Sequence, residues 1–279
     1  MVQLNMLTFH WMNRRNELLS PSGIKRLYSQ KEKFGYESIL LTTKEHQSDA
    51  FITCAATLDP LKKIKYMIAV RPYSISAQYC AQMVASFNEI APGRLMLNIV
   101  SGETSGEKKD PDPCYEVNVD INTPQGRLDY VPIWLEKFTN TYAMGKKPTI
   151  LVGTKNIELL NSTKQYTDIS LCMMDDYVRN PDQYRLNYNR RMVSAQVIIR
   201  NTDEEALEII NNTYTSKPRI KDWTLWGSRE TVKQKIINLK DIGVTDVMLN
   251  NGTDVIQQDT DIIDQLVYEI ICEQKASLS

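Results

Sequence analysis

Ser38-Ile39-Leu40-Leu41-Thr42-Thr43, Tyr66-Met67-Ile68-Ala69-Val70-Arg71-Pro72 and Leu95-Met96-Leu97-Asn98-Ile99-Val100-Ser101-Gly102 are three apolar runs, each ending in a short polar cluster, with helix-length segments between them. Near-continuous apolarity suits strands buried on both faces, so the stretch prescribes a parallel βαβαβ path. In such sheets the loops at the carboxyl ends of the strands vary without disturbing the packed layers, and ligands bind there. The polar clusters are therefore the first place to seek function.

Working outward, the alternation continues over the whole chain. Strands are expected at 2–8, 38–41, 65–70, 95–100, 149–152, 169–173, 194–199 and 246–249. Ser20-Pro21-Ser22 supplies a cap and a first-turn proline for the first helix, which Gly35 ends, and Ser228-x-x-Thr231 opens a late one. Further helices are expected at 49–58, 76–90, 127–142, 182–190, 203–212 and 261–272, with another after Gly153. Eight such units in 279 residues predict a single (β/α)₈ barrel, a TIM barrel over 1–279, with an open doubly wound sheet as the alternative. No G-x-G-x-x-G or phosphate-loop lysine follows the first strand, which argues against the nucleotide-binding open sheets. The irregular segment 101–124, rich in Gly, Pro, Asp and Lys, has the length of a lid or a disordered loop.

Composition narrows the function classes. With 42% hydrophobic and 24% charged residues the chain can bury a large core without metal or disulfide staples. A net charge of −1 lacks the basic excess that a nucleic-acid partner demands. No apolar segment reaches the roughly 20 residues of a membrane span, and no secretory leader is visible, so a cytoplasmic location is expected. Cys54, Cys80, Cys114, Cys172 and Cys272 are odd in number and have no metal-ligand spacing, which reads as free thiols. Without a secretory route the sequons at Asn161, Asn211 and Asn251 carry no weight.

Phe34-Gly35-Tyr36-Glu37-Ser38-Ile39-Leu40, Ala69-Val70-Arg71-Pro72, the run Gly93 to Gly102, and Trp226-Gly227-Ser228-Arg229-Glu230-Thr231-Val232 followed by Ile242-Gly243-Val244 stand in an order that resembles the bacterial-luciferase-like flavin monooxygenases, above all the alkanesulfonate monooxygenase branch. The similarity is strongest over 30–105 and collinear over 145–250. The resemblance implies a barrel whose upper mouth holds reduced FMN, which reacts with O2 and then oxidises an aldehyde, sulfonate, alkane or similar small molecule. It also implies a separate flavin reductase and a homodimer formed through the helices at 49–58 and 76–90, where Ala55, Ala56, Ala77, Ala81 and Ala85 offer close packing. A deazaflavin branch of the same superfamily, using F420, is the alternative, as is a flavin-binding relative without turnover.

The resemblance places Thr42, Ala69, Asn98, Ser101, Gly153 and Thr154 against the cofactor. An asparagine inside an apolar strand needs partners for its amide, which either a ligand or a neighbouring strand can supply. Gly153-Thr154-Lys155-Asn156 opens a helix and reads as a phosphate cradle or simply as a cap. His46, in Glu45-His46-Gln47, corresponds to a histidine important for oxygen chemistry in luciferases, while the sulfonate enzymes have a cysteine where this chain has Gln47. It reads as an acid–base group or as a solvent-facing loop residue.

His10 and Trp11, after the first expected strand, face the mouth in this reading, as a second catalytic histidine and a substrate wall, or else alternate on a strand extension. Arg71 is suited to an anionic substrate group or to bridging an acidic loop residue. Cys54, on an apolar helix face with Ile52 and Ala55, reads as core. Where the sulfonate enzymes present an arginine and a histidine from strand seven, this chain has Ser194 and Gln196, and the insertion before the last helix is reduced to 217–225. Either the expected substrate is different and less anionic, with Gln196 among its contacts, or the protein binds flavin without the full oxygenase reaction.

Overall fold

The computed structural model describes residues 6–13, 21–42, 48–59, 62–102, 120–142, 147–185, 188–213, 221–222, 224–251 and 260–278. Their strands are β1 (Thr8–Asn13), β2 (Ser38–Leu41), β3 (Lys65–Val70), β4 (Leu95–Val100), β5 (Thr149–Gly153), β6 (Ile169–Met173), β7 (Arg190–Arg200), β8 (Thr224–Ser228) and β9 (Asp246–Asn250). All pair in parallel. Strands β1 to β7 follow one another round the sheet, β7 pairs β9, and β9 pairs β1, so eight strands close into a barrel and β8 lies outside the ring.

The helices are α1 (Pro21–Lys33), α2 (Ala50–Thr57), α3 (Ala77–Ile90), α4 (Pro124–Thr141), α5 (Ile157–Thr163), α6 (Met174–Arg179), α7 (Pro181–Arg185), α8 (Asp203–Thr213), α9 (Arg229–Asp241) and α10 (Thr260–Ala276). Their starts are fixed by local chemistry. Asp49 accepts from Ile52 N ahead of α2, Ser76 from Tyr79 N ahead of α3, and Ser228 from Thr231 N ahead of α9, each meeting a donor that the helix cannot satisfy itself. Gly35 stops α1 at φ 85°, and a Cβ there would also press on Ile271 of α10 at 2.8 Å. Among the described residues no helix is long and apolar enough to cross a membrane.

Alternation sorts the side chains. Outward-facing residues such as Phe9, Ile39, Tyr66, Leu97 and Val247 form one continuous core with the helices. Inward-facing Leu40, Met67, Met96, Leu151, Ile169, Leu171, Met192 and Met248 form a separate core inside the ring. Cys54 is fully buried in the outer core, where burial pushes its thiol well above the usual range.

Three sequence expectations change. The first strand runs over Thr8–Asn13 rather than 2–8, because His10, a polar residue that reads as a loop, is satisfied inside the barrel. Strand seven is longer than 194–199, extending over Arg190–Arg200. The reduced insertion at 217–225 contains the start of β8, which the apolar-run criterion passed over because only Leu225 and Trp226 are large apolar residues in Thr-Leu-Trp-Gly-Ser.

Candidate functional site

The long β7 shapes the mouth. Its lower half pairs β6 and β9; at Gln196, level with both Asn250 and Thr224, the partner changes from the end of β9 to the start of β8. Above that point the face that lined the barrel continues as Ile198, which packs with Trp226 of β8 and with Ala206, Ile209 and Ile210 of α8. The opposite face carries Val197, Ile199 and Leu225 into the main core. A β7–β8 ribbon backed by α8 therefore rises beside one side of the carboxyl-end opening.

Inside the ring the side chains are layered. At the amino end His10 Nδ1 lies 2.7 Å from Ser38 Oγ, and His10 Nε2 lies 3.0 Å from Asp246 Oδ1. Arg190 pairs with Asp246, Thr245 Oγ1 donates to Asp246 Oδ2 at 2.6 Å, and Lys65 donates to Glu37 at 2.7 Å. Burial alone would push the Asp246 carboxyl up; the hydrogen bonds and charges of His10 and Arg190 overcome this and hold it at about 2. Glu37 is also lowered: burial raises it, and His10, Lys65 and Arg190 together outweigh that.

Above this polar layer lies the apolar one, and it is rich in methionine: Met67, Met96, Met192 and Met248, with Met12 packed against them. Methionine is flexible and polarisable and makes favourable contacts with aromatic rings, so the layer is an adaptable floor beneath the mouth. At the carboxyl end the lining turns polar again, through Asn98, Ser194, Gln196 and Asn250, all buried. Asn250 Nδ2 donates to Ala195 O at 3.0 Å. Asn98 Oδ1 and Ser194 Oγ have no hydrogen-bond partner among the described residues, although Asn98 is only 4% exposed and Ser194 only 3%. A buried polar atom left unpaired costs about 1–3 kcal/mol, which a ligand bond recovers. Gly153 leaves the space beside Asn98 open, since a Cβ there would stand 3.1 Å from Asn98 Oδ1 and 3.3 Å from Val100 Cγ1.

The expected site residues divide accordingly. Asn98, Gly153 and Gln196 come together at the mouth, with Ala69 packed on the upper edge of the methionine layer. Thr42 and Ser101, both half-buried, directly follow the ends of β2 and β4. Thr154 serves its own turn: its N donates to Leu171 O, its Oγ1 accepts from Asn156 N at 3.0 Å, and Asn156, not Gly153 or Thr154, caps α5. Arg71, which directly follows the end of β3, lines a groove between α2 and α3 together with Ala69, and its carbonyl accepts from Ser74.

His10 and Trp11 do not reach the mouth. His10 is sealed in the lower layer. Trp11 points outward to the helices, beneath Lys31 Nζ at 3.6 Å from its ring centre and edge-on to Tyr36, while Lys31 pairs with Asp264 of α10 at 2.5 Å. One residue of alternation separates the two, and the shifted first strand decides both positions. His46 and residues 103–119 of the expected lid segment lie outside the described residues. The resemblance marks Ser194 only as the counterpart of an arginine; the signal for its place in the mouth is a hydroxyl at inward parity between Met192 and Gln196.

The family model of the luciferase-like monooxygenases matches residues 4–129. Among solved structures, the chain is similar to an F420-dependent secondary alcohol dehydrogenase in complex with an F420-acetone adduct (12% identity, TM-score 0.71, covering 95% of this chain and 98% of that one). It is also similar to the coenzyme F420-dependent tetrahydromethanopterin reductase of Methanopyrus kandleri (14%, 0.70, 96% and 99%). A third is the oxygenating constituent of 3,6-diketocamphane monooxygenase from Pseudomonas putida, in complex with FMN (16%, 0.64, 95% and 97%). At these identities the likeness is one of fold.

Proposed function

We propose that the protein is a flavin-dependent oxidoreductase of the luciferase-like kind, binding the tricyclic ring of its cofactor in the upper mouth of the barrel. The observation that carries this reading is the pair of buried, unpartnered groups on Asn98 and Ser194 above a methionine floor, in a chain whose residues 4–129 match that family model. The match supports a monooxygenase using reduced FMN and O2. F420 is the second reading, favoured by the two F420-dependent proteins among the similar structures.

When bound, the reduced cofactor supplies the electrons for the reaction. Asn98 Oδ1 would accept a hydrogen bond from the ring, with Gly153 keeping room for it. The methionine layer and the α8-backed ribbon would exclude water from the ring's surroundings. Proton handling falls to His46 in this proposal, since His10 is committed below to Ser38 and Asp246. A separate reductase would deliver the reduced flavin, and a cytoplasmic setting belongs to the same proposal. Sulfonates are not the favoured substrate, because Ser194 and Gln196 offer strand seven no charge.

Anaerobic titration with FMN, reduced FMN and F420 tests the reading. Micromolar affinity for one of them, weakened about tenfold by Asn98→Ala at the loss of about 1.4 kcal/mol, is expected. Failure of all three to bind refutes it. His46→Gln should abolish turnover at unchanged flavin affinity.

A homodimer is part of the proposal. Between α2 and α3 runs a groove of about 830 Å³, lined by Phe51, Ala55 and Met83 and by three exposed apolar side chains, Ile52, Tyr79 and Ile90. Exposed apolar area of this kind marks an interface, here with a second copy of the chain. Ala77 and Ala81 face the barrel and are buried, so the contact would use Ala55 and Ala56 instead. Sedimentation that stays monomeric at all concentrations counts against it.

A further inference from the structure

We infer that Ser194 is the substrate-binding group of the β7–β9 wall and that the substrate it takes is neutral, presenting a carbonyl or hydroxyl oxygen to the Ser194 hydroxyl. The inference rests on the mouth being the cofactor and substrate site, as proposed above.

The wall is polar but carries no charge. Ser194 stands level with Met173 on one side and Met248 on the other, so its flanking strands offer its hydroxyl nothing to bond. It is 3% exposed, and its Oγ has no partner among the described residues. Next along the same face come Gln196 and, level with it, Asn250 and Thr224, all buried and all uncharged. Asn250 already donates to Ala195 O. Gln196 and Thr224 are also engaged, so among the described groups of this wall the Ser194 hydroxyl is the unpaired donor, and a ligand oxygen is what it lacks.

The charge of that oxygen follows from where the three cations of β7 lie: Arg191, at outward parity, donates to Gly243 O and Tyr188 O at the amino end of the strand. Arg190 stands below the methionine layer, paired with Asp246 and Glu37. Arg200 is at the far end of the strand, roughly 20 Å beyond Ser194 at the usual rise per residue, and it donates to Ile199 O. Among the described residues of this wall, a sulfonate or carboxylate pressed against Ser194, Gln196 and Asn250 would lose its hydration without gaining an opposite charge, a cost that outweighs hydrogen bonds to neutral donors. A ketone, aldehyde or alcohol loses far less on entering and gains the donor.

The test uses matched ligands that differ in head group: 2-alkanones of three to ten carbons against n-alkanesulfonates of the same lengths. They are titrated calorimetrically into the wild-type protein and into Ser194→Ala and Ser194→Thr, each with and without saturating FMN. At the best chain length the ketone should bind the wild type at least tenfold tighter than the sulfonate. Ser194→Ala should lose about tenfold in ketone affinity, Ser194→Thr should retain it, and FMN affinity should stay within twofold in both variants.

Preference for the sulfonate, equal ketone binding by wild type and Ser194→Ala, or no ketone binding at any length overturns the inference. So does an Ala variant that loses FMN and ketone alike, since Ser194 would then belong to the cofactor. Ketone binding that depends on Ser194 while FMN fails to bind would sustain the inference and sink the flavin reading.

Discussion

Asp246→Asn separates the scaffold of this barrel from its site. Asp246 is fully buried, accepts from His10, Arg190 and Thr245, and titrates at about 2 against an ordinary value of 3.8. A carboxyl depressed by that amount contributes about 2 kcal/mol of stability at neutral pH. Because the folded value lies below the unfolded one, that contribution is fully present above pH 4 and disappears as pH falls through 2. Glu37, lowered by the same cluster, works in the same direction. The asparagine keeps the shape and loses the charge. In urea unfolding at pH 7, with a slope of about 3 kcal/mol/M for a chain of this size, the midpoint should drop by about 0.7 M. Repeated at pH 2.5, the gap between variant and wild type should shrink to less than half. A variant as stable as wild type at pH 7, or a gap that stays constant down to pH 2.5, refutes the electrostatic account of the lower layer. FMN affinity should be unchanged throughout, because the apolar layer stands between this cluster and the mouth.

Other perturbations probe the remaining layers. His10→Gln, which removes the bonds to Ser38 and Asp246, should cost about 1–3 kcal/mol in chemical unfolding and leave flavin affinity within twofold; a large loss of affinity would return His10 to the site. Gly153→Val should weaken flavin at least tenfold while lowering the unfolding free energy by no more than about 1–3 kcal/mol, since its side chain would displace the Asn98 amide and fill the opening. Lys31→Met leaves Asp264 buried without its cation and should destabilise by about 3–5 kcal/mol, with no effect on ligand binding once folded protein is recovered.

How far such behaviour can be read from the chain depends on the distance over which partners are found. The strand runs at 38–41, 65–70 and 95–100 were legible because a buried strand announces itself within six residues. Asn98 was legible for the same reason: it interrupts Leu95-Met96-Leu97 and Ile99-Val100, and an amide there demands an explanation. His10 misled because its explanation is remote. Its partners are 28 and 236 residues away, so the sequence around it reads as a strand end rather than a strand centre. Moving the strand to Thr8–Asn13 then sent His10 inward and Trp11 outward to Lys31, away from the mouth in both cases. Strand β8 was missed on other grounds. It contributes to a small cluster of its own with α8, and with only Leu225 and Trp226 as large apolar residues it gains its identity from pairing with β7.

The two polar layers of the barrel are built from similar residues and differ in closure. In the lower layer His10, Ser38, Asp246 and Arg190 satisfy one another, and nothing in it waits for a ligand. In the upper layer Asn98 and Ser194 hold buried atoms with no protein partner among the described residues. Selection for stability alone would replace them with apolar residues of similar size, as the methionine layer directly beneath shows is feasible in this interior. Unpaired buried atoms also occur outside the ring, on Tyr28, Tyr36, Arg94 and Thr139, but within it the described ones lie at the end where a β/α barrel collects its loops, the pattern expected of a site whose missing hydrogen bonds are made by what it binds. Ser194→Ala sharpens the point: removing an unpaired hydroxyl should raise the stability of the ligand-free protein by up to about 1 kcal/mol while weakening ketone binding. A loss of stability instead would mean that the hydroxyl is already satisfied in the free protein, and the contrast between the two layers would no longer single out the mouth.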